Sequence, residues 1–446
     1  MKWLDYSRFF NLSAKHRVAS LLRLTAKDSI LNKSNRILMG GGMPNPKVFL
    51  MKEGMITLKD GRTIALPPAL MEDALQYGAS DGYEPLLKQL NSLTKRLHSP
   101  PCWSNSQILV TAGIQSALCM AIEIFIEQND YVVVEDPCYC GALAIMYPYN
   151  PRFLPVESDA DGINPEKLRV ALSKWKPEQA RSATHGVPKF IYTNPNGCNP
   201  TGGITSTERR KEIYKIASEY NLIILEDDPY YFLQYREQKD FPPSYLSMDV
   251  DGRVLRFDSF SKTLSAGLRV AYVTGPRQLV DKICLYQQVS VAHPPSLSQI
   301  IISEILRTLG EDGFLEHTKQ LQKFYRDQRD AIVKAASKFL SSLCEWSVPE
   351  GGMFLWLKVR DVKDSLGVVD RALKDYTLLI IPGSGFVPDG AKPCPYVRIS
   401  FSVVSPQEME EGFRRLASAI RAELEENRKS ENERNHSERP ELIRRV

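Results

Sequence analysis

Short apolar runs alternate with segments of helical periodicity between about residues 105 and 275. This alternation predicts a parallel or mixed sheet covered by helices, the fold class called α/β. Ligands of such sheets bind at the carboxyl ends of the strands, so the chemistry of this chain is expected there. The predicted strands are Ile108–Val110, Tyr131–Val134, Lys189–Tyr192, Leu222–Leu225, Val254–Phe257 and Val270–Val273.

Two patterns predict where helices begin. Thr205-x-x-Glu208 is typical of a capping box, and Ser405, followed by a proline and Glu408, predicts the start of a last helix. Beyond about residue 310 the chain consists of long helical patterns and few strands. Because 446 residues exceed one compact core, a second, smaller domain is expected there. Its predicted strands are Met353–Val359 and Tyr396–Ser400, and its last helix has apolar positions Met409, Phe413, Leu416 and Ile420.

Composition limits the class of protein. The chain is 43% apolar and 25% charged, with a formal net charge of +4, which is the balance of a globular protein and gives no reason to expect nucleic acid as a partner. No apolar run reaches the length of a membrane-spanning helix, so no membrane is expected either. The eight cysteines lack paired spacing, and Cys138-x-Cys140 has no second pair or nearby histidine, so free thiols rather than a metal site are expected.

The two ends of the chain differ from its middle. The residues through about Lys27 are basic with few acids, which fits either a mitochondrial targeting helix or a basic arm of the mature protein. The sequence leaves both alternatives open. From about Glu425 the chain is almost wholly charged and polar, which predicts a disordered tail.

The strongest candidate for chemistry is the segment Asp258-Ser-Phe-Ser-Lys262, which directly follows a predicted strand and precedes Arg269. A lysine that captures an aldehyde as a Schiff base needs a rigid turn with an anion site close by. Ser259, Ser261 and Arg269 offer two hydroxyls and a guanidinium, which suit a phosphate. Taken alone, a solvated loop lysine is the commoner explanation.

Three further segments follow predicted strand ends. Asn194–Gly202 is dense in turn formers, Glu226–Tyr230 is acidic, and Thr111–Ser116 joins a strand to a helix. Backbone N–H groups and the helix dipole favour an anion at such a strand-to-helix junction. Each segment has an ordinary structural explanation, and only their common placement at one edge of the predicted sheet favours a site.

In this order the segments resemble those of the fold-type I, class I/II aminotransferases. The resemblance covers nearly the whole chain apart from the charged tail. Within that superfamily the chain is most similar to the kynurenine/2-aminoadipate aminotransferases, especially over Glu226–Gln234 and Leu246–Arg253. The resemblance extends to Gly41–Pro46, Asp136–Tyr139, Gly351–Phe354 and Val397–Phe401.

The resemblance implies a fold, a cofactor and an assembly. The fold is a large domain, residues 51–308, with a mostly parallel seven-stranded sheet between helices, and a smaller α+β domain, residues 309–424. Residues 1–50 would form an N-terminal arm and part of the small domain, and residues 425–446 the tail. The cofactor is pyridoxal 5'-phosphate (PLP), no metal is expected, and the enzyme would be a homodimer.

The resemblance also implies the roles of the central residues. Lys262 would hold PLP as a Schiff base and move the proton between the substrate α-carbon and C4′ of the cofactor. Asp227 would keep the pyridine nitrogen protonated. Asn199 and Tyr230 would bond the phenolic oxygen, and Tyr139 would stack on the ring.

The remaining roles concern the phosphate and the substrate. The phosphate would be held by Gln115, Ser259, Ser261 and Arg269, by the backbone amides of Ile114 and Gln115, and by Tyr77 of the neighbouring subunit. Ile114 departs from the hydroxyl residue usual in the family. Arg398 would bind the substrate α-carboxylate, Arg23 the substrate side chain, and Gly42, Tyr77 and Asn199 would be further substrate contacts. Ala292 stands where relatives often have a larger apolar residue, so an altered side-chain pocket is expected.

These residues imply ping-pong transamination of an L-amino acid with 2-oxoglutarate. Kynurenine and 2-aminoadipate are the expected donors, with aromatic or other amino acids as further donors. The alternatives are another PLP reaction, such as β-elimination or decarboxylation, an amino-acid-sensing regulator, or a catalytically dead scaffold. The regulator is disfavoured because the segment before Gly40 is too short for a winged-helix module, and the scaffold because the catalytic residues are present. The expected compartment is the mitochondrial matrix or the cytoplasm.

Overall fold

The structure is a computed structural model that describes residues 4–21, 42–182, 185–390 and 392–442. The helices are α1 (Leu12–His16), α2 (Pro68–Leu75), α3 (Glu84–His98), α4 (Ile114–Glu123), α5 (Cys140–Met146), α6 (Pro165–Leu172), α7 (Pro177–Ser182), α8 (Thr207–Glu219), α9 (Tyr245–Met248), α10 (Arg277–Ser290), α11 (Ser296–Leu340), α12 (Leu366–Lys374) and α13 (Pro406–Leu442). The strands are β1 (Gly54–Thr57), β2 (Thr63–Leu66), β3 (Ser106–Thr111), β4 (Tyr131–Asp136), β5 (Arg152–Asp159), β6 (Gly162–Ile163), β7 (Phe190–Thr193), β8 (Ile223–Asp227), β9 (Val254–Ser259), β10 (Ala271–Pro276), β11 (Cys344–Trp346), β12 (Phe354–Val359), β13 (Ile381–Pro382) and β14 (Tyr396–Ser400).

The large sheet has the order β3-β10-β9-β8-β7-β4-β5-β6 among the described residues. Strands β9, β8, β7, β4 and β5 run parallel, and β10 pairs antiparallel with both of its neighbours. The predicted mostly parallel sheet is therefore confirmed. Its eighth strand, the two-residue edge strand β6, pairs antiparallel with β5 and was absent from the seven-stranded expectation.

Both faces of the large sheet are buried, because successive side chains of a strand point to opposite faces and helices cover each. Tyr192 and Leu225 pack on one face with α4 and α10. Their neighbours Ile191 and Ile224 pack on the other face with α6 and α8. The central parallel strands β4, β7 and β8 are consequently apolar over most of their length and become polar where they end, whereas β9 carries the buried Arg256 in its middle.

The N-terminal residues belong to this core. Tyr6 and Phe9 are fully buried in the cluster that contains α4 and α10. The Tyr6 hydroxyl donates to the Gly252 carbonyl at 2.7 Å, and Asn11 Nδ2 donates to the Ile126 carbonyl at 2.9 Å. Residues 4–16 thus pack against the large sheet rather than forming part of the small domain, because their aromatic side chains fill its core. Arg23 lies outside the described residues.

A second sheet, of order β11-β12-β14-β13, is antiparallel and packs against α13. The predicted start of α13 is confirmed, since Glu408 N–H donates to Ser405 Oγ at 3.3 Å and Ser405 N–H to Glu408 Oε2 at 2.7 Å. The four predicted apolar positions of α13 are buried. Gly310, inside α11, has non-helical φ/ψ and marks a kink close to the predicted domain boundary. The exact domain bounds stay a prediction.

Two local predictions were wrong. The N-cap residue of α8 is Ser206 and not Thr205, because the Ser206 hydroxyl accepts from Arg209 N–H. Thr205 is instead buried, with its N–H bonded to the Pro195 carbonyl at 2.8 Å. The charged segment from Glu425 is helical through Leu442, because Glu, Lys and Arg are strong helix formers and extend a helix whose earlier turns are packed.

None of the helices in the described part of the chain combines the length and the apolarity that crossing a membrane requires.

Candidate active site

The ends of β7, β8 and β9 bring the predicted site residues together. Thr193 pairs with Glu226 in parallel register, so the next residues, Asn194 and Asp227, lie side by side. Asp227 itself pairs with Phe257 of β9, two residues before the end of that strand. The segment with Lys262 follows directly. The expected placement of the chemistry at the carboxyl edge of the sheet is what the fold produces.

Asp227 is buried and has two different oxygens. Oδ2 accepts a hydrogen bond from the Tyr192 hydroxyl at 2.6 Å. Oδ1 is buried and has no hydrogen-bond partner among the described residues. Burial raises the pKa of Asp227 to about 7, and the bond from Tyr192 opposes that rise. A buried acceptor without a partner calls for a donor, and a protonated ring nitrogen is such a donor.

Lys262 is partly buried and forms no hydrogen bond or ion pair with the described residues. Burial, and then the positive charges of Arg269 and Arg398, hold the pKa of the Lys262 amine below its ordinary value. A lowered pKa increases the fraction of neutral amine at neutral pH, which is the form that attacks an aldehyde and accepts a proton.

A cradle for an anion lies where α4 begins. Arg269 Nη1 lies 3.4 Å from Ser261 Oγ, and Ser261 N–H donates to Ser259 Oγ at 3.0 Å. Gly113, the residue before α4, has a φ of +86°, and a Cβ there would lie 2.0 Å from Arg269 Nη2. The guanidinium therefore packs directly on the first turn of α4, which begins at Ile114. Hydroxyls, guanidinium and helix amides together form a donor set that suits a phosphate.

Gln115 and Tyr139 contact each other beside this cradle. The Tyr139 hydroxyl donates to Gln115 Oε1 at 3.1 Å, and Gln115 Nε2 donates to the Gly141 carbonyl at 2.9 Å. A Cβ on Gly141 would lie 2.4 Å from Tyr139 Cζ, so the backbone packs tightly against the ring. These contacts fix the tyrosine ring and use one of the two hydrogens of the Gln115 amide, which leaves the other for the phosphate.

Arg398 and Asn199 link the two sheets. Arg398 Nη1 donates to Asn199 Oδ1 at 2.8 Å. The guanidinium carbon lies 4.3 Å from the ring centre of Phe354 and 5.0 Å from that of Phe386. Arg398 Nε is buried without a hydrogen-bond partner among the described residues. Tyr230 is buried, with its ring edge-on to Phe354 at 6.1 Å. An arginine held between aromatic rings retains donors for a carboxylate.

Three residues with predicted or expected roles in the site have no hydrogen bond or ring contact with the site residues described above. Gly42 is exposed. Tyr77 is 51% exposed, with its ring edge-on to His293 at 5.9 Å. Ala292 has a φ of +63°, and its carbonyl accepts from Ser80 Oγ at 2.8 Å.

Sequence reasoning missed Tyr192, Asn194 and the buried Arg256. Arg256 contacts Asp228 at 2.9 Å and Asp258 at 2.8 Å, which are the neighbours in sequence of the site residues. The sequence did carry one signal for them: Tyr192, Asn194 and Asn196 are polar residues at alternate positions across the end of β7.

Three features of the site together fit PLP. They are the Asp227 oxygen without a hydrogen-bond partner, the lowered pKa of Lys262 and the anion cradle at the start of α4.

Comparisons with known proteins agree with this geometry. A family model described as Aminotransferase class I and II matches residues 56–416. The kynurenine/alpha-aminoadipate aminotransferase, mitochondrial, of Rattus norvegicus is 43% identical over 424 residues, which cover 94% of this chain and 99% of the rat protein. A crystal structure of a Candida albicans aminotransferase superposes with a TM-score of 0.82 at 27% identity, covering 95% of this chain and 99% of that one. A Pyrococcus horikoshii kynurenine aminotransferase, solved in complex with PMP, superposes with a TM-score of 0.73 at 30% identity, covering 94% and 98%.

Proposed function

The chain belongs to the class I and II aminotransferase family and is a PLP-dependent enzyme that transaminates amino acids, and from that premise we propose which residues carry the reaction and which donors it takes. The catalytic residues are Lys262, Asp227 and Tyr230. The observation that carries this assignment is the buried Asp227 carboxylate, which has one oxygen bonded to Tyr192 and the other without a partner among the described residues.

Each catalytic residue has a distinct task. When bound, PLP supplies a sink for the electrons of the substrate α-carbon. Lys262 Nζ would hold the cofactor aldehyde and, once the substrate amine has displaced it, would move the proton between the α-carbon and C4′. Its lowered pKa favours the neutral amine that both tasks require. Asp227 Oδ1 would accept a hydrogen bond from the pyridine nitrogen and favour its protonated form.

Tyr230 and Asn199 donate to the phenolic oxygen. Burial raises the pKa of the Tyr230 hydroxyl, so this group stays protonated and remains a donor at neutral pH. Asn199 Oδ1 already accepts from Arg398, which leaves the Asn199 amide group to donate. Tyr139 stacks on the ring, in the position that Gln115 fixes.

Arg398 binds the α-carboxylate of the substrate. The Phe354 and Phe386 rings exclude water from the guanidinium, which strengthens its attraction for an anion. The further substrate contacts are Arg23, Gly42, Tyr77 and Asn199. The phosphate contacts are Ser259, Ser261, Arg269, Gln115, the Ile114 and Gln115 amides, and Tyr77.

Tyr77 acts from the second subunit of a homodimer. Support comes from its exposure and from that of Val291, which lies two residues before His293, the residue that the Tyr77 ring contacts. Exposed apolar groups of this kind mark a surface that another protein covers.

The donors are kynurenine and 2-aminoadipate, and 2-oxoglutarate is the acceptor. Support comes from the rat relative, which is named for both donors and matches this chain over almost its whole length. The small side chain of Ala292 leaves room for a further apolar or aromatic donor. The compartment is the mitochondrial matrix or the cytoplasm, and the name of the rat relative favours the first.

A donor panel tests this proposal. The purified chain is loaded with PLP, supplied with 2-oxoglutarate and one amino acid at a time, and assayed for glutamate. Glutamate forms with kynurenine and with 2-aminoadipate, whereas Lys262→Ala forms none and Lys211→Ala, an exposed control, behaves as wild type. If neither donor reacts while other amino acids do, the donor assignment is wrong and the reaction class stands. Ammonia or carbon dioxide in place of glutamate would contradict transamination itself.

A further inference from the structure

We propose that Tyr192 and Asn194 are positioning residues, which hold the Asp227 carboxylate and the Asn199 backbone in place for the two ends of the cofactor ring. This inference rests on the proposed function and deepens it. Both residues are buried, and their side chains bond Asp227 and Asn199. Both lie at the end of β7, two residues apart.

Tyr192 is fully buried in the core on one face of the large sheet. Its hydroxyl lies 2.6 Å from Asp227 Oδ2. Burial raises the pKa of the Tyr192 phenol well above its ordinary range, so the phenol stays protonated and donates. With Oδ2 occupied, only Oδ1 is left to accept from the pyridine nitrogen. The bond therefore sets which oxygen faces the cofactor.

The same hydrogen bond opposes protonation of Asp227. Burial is the main cause that raises the pKa of Asp227, to about 7, and Tyr192 lowers it. Three charged neighbours act in the opposite direction to Tyr192. Asp228, directly after β8, Glu135 from β4 and Asp258 from β9 all raise the pKa of Asp227. The phenols Tyr139 and Tyr230 and the thiol Cys138 also face it, and burial raises the pKa of each. Among the neighbours named here, Tyr192 is thus the one that favours the ionised carboxylate.

Asn194 connects both ends of the ring site. Its Nδ2 donates to the Asp227 carbonyl at 2.6 Å, and its Oδ1 accepts from Asn199 N–H at 2.7 Å. Asn194 is buried, so water does not replace these bonds. The Asn194 amide therefore fixes the distance between Asp227, proposed to face the ring nitrogen, and Asn199, proposed to face the phenolic oxygen.

A purely structural role would predict something different. A buried tyrosine that merely satisfies its hydroxyl would change stability on substitution but would leave the proton affinity of the cofactor site unchanged. The pH dependence of cofactor binding separates the two roles.

The first test measures the dissociation constant of PLP across pH for wild type, Tyr192→Phe and Tyr245→Phe. Tyr245 is a matched control, because it is fully buried and its hydroxyl has no partner among the described residues. PLP binds more tightly when Asp227 is ionised, so affinity falls as pH drops through its pKa. Without the bond from Tyr192 that pKa rises, and the fall begins at higher pH. At neutral pH Tyr192→Phe therefore binds PLP more weakly than wild type, and the two profiles converge at high pH, where the carboxylate is ionised in both.

A double variant shows whether the effect passes through Asp227. In an Asp227→Asn background, Tyr192→Phe produces no further change in the pH profile. A Tyr192→Phe profile that coincides with that of Tyr245→Phe would overturn the role of Tyr192, and so would an unchanged shift in the Asp227→Asn background.

The second test uses Asn194→Val and decides the proposal even if Tyr192→Phe does not fold. Asn196→Val is the control, because Asn196 is an equally buried loop residue that bonds Asp228 and Arg210 instead. The pH midpoint of the visible absorbance of bound PLP rises in Asn194→Val, because Asn199 is no longer held for the phenolic oxygen. Equal midpoints in the two variants would overturn the proposal. A wild-type chain that binds no PLP would instead contradict the proposed function.

Discussion

Gly113 offers a quantitative test of the phosphate cradle. Its φ is +86°, and a Cβ would lie 2.0 Å from Arg269 Nη2, so Gly113→Ala forces the guanidinium away from α4. With its ψ of 160°, this positive-φ backbone lies in a region that is essentially restricted to glycine, and it costs an L residue about 1–3 kcal/mol of folding stability. Loss of a charge-assisted hydrogen bond to the phosphate costs about 1.5–3 kcal/mol of binding energy. This second cost corresponds to a rise of roughly 10- to 150-fold in the dissociation constant of PLP.

Gly61 separates the two costs. It has a φ of +87°, and nothing lies within 4 Å of its built Cβ, so Gly61→Ala carries the backbone cost alone. Urea unfolding measures stability, and titration of the cofactor-free chain with PLP measures affinity. Both variants lose stability, but only Gly113→Ala loses affinity. If Gly113→Ala binds PLP as tightly as Gly61→Ala does, Arg269 does not hold the phosphate.

Other predictions concern the core, the ion cluster and the substrate. Phe9→Ala lowers the free energy of unfolding by about 3–5 kcal/mol, because Phe9 is fully buried. The control Leu12→Ala, at a 66% exposed position, changes it by less than about 0.5 kcal/mol. Equal urea midpoints for the two variants would contradict the packing of the N-terminal segment. Arg256→Ala leaves the carboxylate of Asp228 buried and unpaired and costs about 3–5 kcal/mol, and an unchanged urea midpoint would refute this. Arg398→Lys raises KM for every amino-acid donor, since lysine lacks the planar fork; an effect on kcat alone would contradict carboxylate binding.

The periodicity of the sequence predicted the large sheet and the edge at which its site lies. Apolar runs such as Tyr131–Val134 and Leu222–Leu225 become central parallel strands, because strands buried on both faces are continuously apolar. The roles of Lys262 and Asp227 came from resemblance, and the structure brings both residues to the predicted edge.

The remainder depends on contacts that no local pattern encodes. The bond from Tyr192 to Asp227 requires the register of β7 on β8, which joins residues far apart in the chain. Thr205 is a residue type that often caps helices, but its N–H donates to the Pro195 carbonyl, and Ser206 is the N-cap instead. Phe9 lies in the core of the large sheet, a contact that the basic composition of the N-terminal segment does not predict.

Every role proposed for this site depends on a covalent bond between Lys262 and the cofactor. To test that bond, the holoenzyme is reduced with borohydride, digested and mapped by mass spectrometry. One phosphopyridoxyl group is expected, on the peptide that contains Lys262, and none in Lys262→Ala. A modification on another lysine, or no fixed cofactor in the wild-type chain, would contradict it.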